Sequence, residues 1–148
     1  MPLRYHPFPL VCLLFAGCQA SPDKAIRSDP TQPVAGLAAS AIAADMASRF
    51  AEQAGLATAP ISLARDKSEY SIALRGALNG WGYKVIDDGR VSHGKDAAKP
   101  VHLVFSLMNI NGQVLARLST DTLVLGRAYS VKPDGATPAS PLTLMTRN

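Results

Sequence analysis

Cysteine is scarce: the 148 residues include two, Cys12 and Cys18. With so few thiols a disulfide framework is excluded, and so is a zinc site built on cysteine pairs. Outside the first residues, histidine is reduced to His93 and His102, with no His-x-x-x-His spacing to hold a metal. No cofactor is expected. Aromatic residues make up 6% of the chain. No apolar run approaches the roughly 20 residues that a membrane-spanning helix needs. Lys and Arg total 15 against 11 Asp and Glu, a formal charge of +4. The cations form neither a run nor a stripe, so direct nucleic-acid contact is not expected. No G-x-S-x-G element marks a nucleophile, and Gly80-Trp81-Gly82 lacks the Lys and Ser/Thr of a phosphate loop. Asp87 and Asp88 are adjacent carboxylates, but neighbours in a turn usually end a strand. No catalytic residue is assigned, and no enzymatic activity is expected.

What is present begins with an export signal. Arg4 supplies positive charge, and Leu10 to Ala16 is a short apolar core, too short to span a bilayer. Ala16-Gly17-Cys18 follows. Small residues before a cysteine form the lipobox of a bacterial lipoprotein, whose thiol is alkylated by a diacylglyceryl group before the new amino terminus is acylated. The expected cleavage lies between Gly17 and Cys18, so residues 1–17 are the signal peptide. Phe15 stands where the pattern usually has Leu, an apolar substitute. Lipidation also accounts for Cys18 as a lone thiol, because Cys12 leaves with the signal. Each buried CH₂ of an acyl chain contributes about 0.8 kcal/mol, so three chains hold a protein firmly. Gln19, where Asp would favour inner-membrane retention, points to the outer membrane with the domain facing the periplasm.

Residues 18–36 carry Pro22, Pro30 and Pro33 without hydrophobic period and read as a tether. Residues 37–131 read as one domain. Leu37, Ile42, Met46 and Phe50 recur at helical spacing up to Ala54, with Gly55 as the C-terminal glycine. Asp45 and Arg49 are four apart on the wetter side. Ile61 to Ala64 is a short strand, and Asp66 to Glu69 resembles a capping box opening a second helix to about Asn79. Tyr70, Ala73, Leu74, Ala77 and Leu78 form its apolar face. Gly80 to Ile86 is a turn into a strand, and Trp81 is read as core or interface, core being favoured. Val101 to Met108 alternates strongly, with Phe105 and Leu107 on the apolar face; Asn111-Gly112 is a hairpin turn, and two more strands follow. The expected fold is α+β, one mostly antiparallel sheet with two helices on one face. Residues 132–148, with Pro133, Pro138 and Pro141, are expected not to continue the sheet. Their apolar Leu142, Leu144 and Met145 call for packing on the domain or, the favoured reading, docking on a partner.

The run Gly112 to Thr120, then Leu125-Gly126-Arg127-Ala128-Tyr129 and Gly135 to Leu142, resembles the conjugal-transfer TrbH lipoprotein family. Ala44 to Arg49 and Gly80 to Tyr83 are similar to it as well. The resemblance implies a component of the mating-pair formation apparatus, a type IV secretion system for plasmid transfer. It implies other apparatus proteins as partners, with outer-membrane lipid engaged through acylated, palmitate-bearing Cys18. Two alternatives stay open: an entry-exclusion lipoprotein, and an envelope lipoprotein that binds a ligand or polymer.

Overall fold

In the computed structural model the described residues are 33–55, 58–89 and 98–147. Helix α1, Gly36–Ala54, buries Ile42, Ala43, Met46, Ala47 and Phe50 along one stripe. Its small alanines let a second helix approach closely. No side chain of its own caps the start; the amide of Gly36 instead donates to the Glu69 carboxylate of α2, a negative charge placed at the positive end of the helix dipole. Gly55 closes α1 with φ 67°, its amide donating to the Ala51 carbonyl. Leu37, assigned to the apolar stripe from its spacing, is 64% exposed: five residues before Ile42, it lies about 140° round the helix from the buried stripe, while Ala38 and Ala39 beside it are buried.

Helix α2, Glu69–Gly80, starts later than the Asp66 capping box implied. Asp66 turns back on Ser68, accepting from its amide at 2.9 Å and its hydroxyl at 2.8 Å. Ser68 then caps the helix, accepting from the Ser71 amide at 3.2 Å. Those two donated hydrogen bonds, amide first, hold the Asp66 carboxyl below its ordinary value. Tyr70, Leu74 and Leu78 are buried as the helical period requires. Trp81 is 46% exposed, not core. Its backbone closes α2, and Gly82 at φ 90° then redirects the chain, so Tyr83 is the aromatic that turns inward.

Among the described residues seven strands form one mixed sheet. They are β1 (Ile61–Leu63), β2 (Val85–Asp87), β3 (Val101–Ile110), β4 (Gln113–Ser119), β5 (Leu123–Lys132), β6 (Gly135–Pro138) and β7 (Thr143–Thr146). The order is β2-β1-β3-β4-β5-β6, with β7 also on β5. The expectation of a mostly antiparallel sheet is corrected at one end: β1 is parallel to both β2 and β3. The cause is the connection. A helix lies between β1 and β2, and a crossover through a helix returns the chain in the same direction. Flanked by β2 and β3, β1 shows no alternation in burial: Ile61, Ser62 and Leu63 are all buried, Ser62 donating to Asp88 at 3.2 Å.

From β3 onward the strands are antiparallel. Asn111 and Gly112 both have positive φ, 51° and 79°, the two-residue turn that matches the strand twist. Phe105 pairs with Leu118 and Leu118 with Leu125, so these three share a face. Tyr70 of α2 lies on Phe105 with ring centroids 5.3 Å apart, and Asp45 of α1 bonds Tyr129 two positions along from Arg127 on that same face. Both helices therefore cover one side of the sheet. Val104 and Met108 point the other way and are exposed.

The segment after Lys132 also departs from expectation. It continues the sheet twice, β6 pairing Tyr129 to Lys132 and β7 pairing Leu123 to Gly126. Its prolines sit where no ladder bond is lost: Pro133 is in the turn, Pro138 ends β6, and Pro141 lies between the strands.

Candidate functional site

The residues singled out for lipidation and cleavage, Gly17 and Cys18, lie outside the described residues, as does His93. His102 is exposed on β3, with Nδ1 3.7 Å from Asp88 Oδ1. Asp87 and Asp88 do not act as a pair. Asp87 is clasped by Arg75 at 2.9 Å and Arg65 at 3.1 Å, fastening β2 to α2 and to the segment after β1. Asp88 accepts from Ser62 Oγ at 3.2 Å. Among the described residues no group of three or more His, Cys, Asp or Glu could hold a metal, and no helix is long and apolar enough to cross a membrane.

The most developed polar cluster joins α1 to β5. Asp45 Oδ2 accepts from Arg127 Nη1 at 2.9 Å and from the Tyr129 hydroxyl at 2.6 Å. Its other oxygen lies 3.5 Å from Arg49 Nε. Arg127 also donates through Nε to the Ser140 carbonyl at 3.0 Å, and Ser140 Oγ accepts from the Ala128 amide at 2.9 Å. Asp45 thus ties the first helix to β5 and, through Arg127, to the segment between β6 and β7. From the sequence, Asp45 was readable only as an i,i+4 partner of Arg49; its closer partners lie more than 80 residues away.

Burial, and then donation to Asp45, hold the Tyr129 phenol protonated well beyond its ordinary value of 10.0. Burial alone does the same for Tyr70, whose hydroxyl, like that of Ser71, is buried without a partner among the described residues. A group whose folded pKa is raised contributes stability that is present below the unfolded value and lost as pH climbs above it. The domain should therefore keep its melting temperature up to about pH 10 and lose it beyond. Tyr129→Phe should flatten that alkaline loss while lowering the midpoint at neutral pH. Parallel alkaline curves for the two proteins, from melts across pH, would show that Tyr129 titrates freely.

A cavity of about 420 Å³ opens where the helices end, floored by Phe50, Ile61 and Tyr83 and rimmed by Gln53, Thr122 and Arg147. Its volume is in the range of small-molecule sites. Its polar groups do not converge on the floor: the Tyr83 hydroxyl is taken by the Gly55 carbonyl, and burial raises its pKa. Phe50 packs on Tyr83 with ring centroids 5.6 Å apart.

A family model described as conjugal transfer protein TrbH matches residues 20–148. A protein of Sinorhizobium fredii, described as a probable conjugal transfer protein TrbH, is 51% identical over 137 residues. That alignment covers 91% of this chain and 92% of the relative. No solved structure matches the chain.

Proposed function

The chain belongs to the TrbH family of conjugal transfer proteins, and on that premise we propose that it is an outer-membrane lipoprotein with a structural, non-enzymatic role in assembling the mating-pair formation apparatus. The observation that carries the reading is the family match itself, which begins at residue 20, two positions after the lipobox cysteine. The architecture is consistent with it. Two carboxylates of the described domain join elements: Asp45 holds α1 to β5, and Asp87 holds α2 to β2. The stretch 18–32 can reach at most ~50 Å if fully extended, enough to hold the domain clear of a membrane surface. Partners are the other secretion proteins of the transfer system, and contact with outer-membrane lipid is through acylated Cys18.

Two experiments test this. Cys18→Ser should abolish incorporation of labelled palmitate and move the protein from the membrane to the soluble fraction. Unchanged labelling and partition would remove the lipoprotein claim. Deleting the gene from the plasmid should lower donor ability by orders of magnitude. Normal donor ability, combined with improved recipient ability of the plasmid-bearing cells, would assign the protein to entry exclusion instead.

A further inference from the structure

One edge of the sheet differs from the rest. The Val101 amide donates to the Pro60 carbonyl at 2.8 Å, so the backbone groups of Val101 and Leu103 face β1. Alternation turns those of Phe105, Leu107 and Asn109 to the same side. The even residues face β4, as the pairing of Ile110 with Gln113 across the two-residue turn requires. But β1 ends at Leu63, and the chain leaves the sheet for α2. Among the described residues no strand pairs with β3 on that side beyond Leu103. Among the described residues an open lane remains beside Val104 to Ile110, about 23 Å long.

Sheet edges are normally protected by charge, proline, short length or a bulge. The other edges here are. Strand β2 spans three residues and ends on Asp87 with Arg65 and Arg75; β6 is four residues ending in Pro138; β7 is four residues. The lane bears no such device: Val104-Phe105-Ser106-Leu107-Met108-Asn109-Ile110 has no charge, no proline and no glycine. Left bare, such a segment invites edge-to-edge aggregation.

We infer that the β3 edge from Val104 to Ile110 receives an extended, uncharged, alternately apolar segment of another protein of the transfer apparatus, added as an extra strand. Six outward backbone groups, those of Phe105, Leu107 and Asn109, are what recognise it, and only an extended backbone matches their spacing. The inference rests on the assembly role proposed above. A second copy of this chain fits worse. Its β3 is ten residues long and brings β4 alongside, and pairing along the whole lane drives that hairpin into Leu63 and into Asp87 with Arg65. Residues 19–32 of the chain itself suit the lane poorly, carrying Pro22, Pro30 and four charges at Asp23, Lys24, Arg27 and Asp29.

The test uses the full-length protein in donor cells that carry all other transfer genes. A photoreactive benzoylphenylalanine is placed at Ser106, beside the lane, and at Lys132 on β5 as a control. Irradiation should give one adduct at position 106 and none at 132, its mass and peptides identifying a transfer-encoded protein. Asn109→Pro removes only an outward-facing amide, and Met108→Lys puts a charge at the lane; each should melt near wild type and reduce the adduct at least tenfold. An adduct of twice the chain's mass overturns the inference in favour of self-pairing. So does no adduct, an adduct that also forms in cells lacking the transfer genes, or an adduct indifferent to both substitutions. Plasmid transfer by the gene deletion keeps the two claims apart: if transfer needs the protein and no adduct forms, the edge fails and the assembly role stands.

Discussion

A chain lacking residues 136–148 is expected to lose most of its stability. Strand β5 is ten residues long, and on the side away from β4 it has two partners, β6 and β7, of which the deletion leaves only Gly135. Their removal strips the second row of ladder bonds from a strand whose Leu125 and Tyr129 are almost fully buried. It also removes Ala136 and Leu142 from their packing on the core, and the Ser140 carbonyl from Arg127. Each lost backbone bond costs about 0.5–1.5 kcal/mol, and several go together. The expected loss is roughly 4–6 kcal/mol, comparable to the whole stability of a small domain. Far-UV circular dichroism should show a midpoint lower by roughly 15–25 °C, or no cooperative transition. A midpoint within a couple of degrees of the intact protein would mean that β6 and β7 do not belong to the folded core. Docking of this segment on a partner was the favoured sequence reading. The strand pairing assigns its backbone to the domain and leaves only Leu144 and Met145 substantially exposed for anything else.

The second large effect is expected at Asp45. Asp45→Ala leaves the Tyr129 hydroxyl buried without an acceptor and takes the counter-charge from Arg127, whose side chain is 17% exposed. An unsatisfied buried donor costs about 1–3 kcal/mol. The Arg127 term is smaller, because the guanidinium keeps its bond to Ser140 and some contact with water. The sum is about 2–4 kcal/mol, visible as a lower urea midpoint at unchanged slope. Arg49→Ala is the control. Arg49 bonds the exposed Glu52 at 2.8 Å, and exposed helix pairs contribute about 0.3–0.5 kcal/mol. Equal losses for Asp45→Ala and Arg49→Ala would reduce Asp45 to a surface charge.

How much of this was legible depends on the range of the interaction. The stripe of Ile42, Met46 and Phe50, the alternation of β3 and the Asn111-Gly112 turn are local patterns, and the structure keeps them. Parallel pairing of β1 was recoverable from the helix between two short strands, but with three residues each those strands carry no strong period. Prolines misled at the far end, because their meaning depends on whether the missing amide faces a neighbour, which a single sequence does not display. Trp81 misled through bulk alone; one residue later Gly82 turns the chain and Tyr83 takes the inward place. For Asp45, Arg127 and Tyr129 no local signal exists, since the contact is made by elements at opposite ends of the domain. The open lane beside β3 was hidden for the same reason, appearing only once β1 is seen to stop at Leu63.

The two short strands that complete β5 follow every other described element in the chain, while α1, which rests on β4, β5 and β6, precedes them all. The contacts of α1 with β5 and β6 thus join parts far apart in the order of synthesis. Closure of such distant pairs delays folding in proportion to the loop entropy that must be surrendered first. A chain made from its amino terminus therefore exposes its helices long before the sheet beneath them can close.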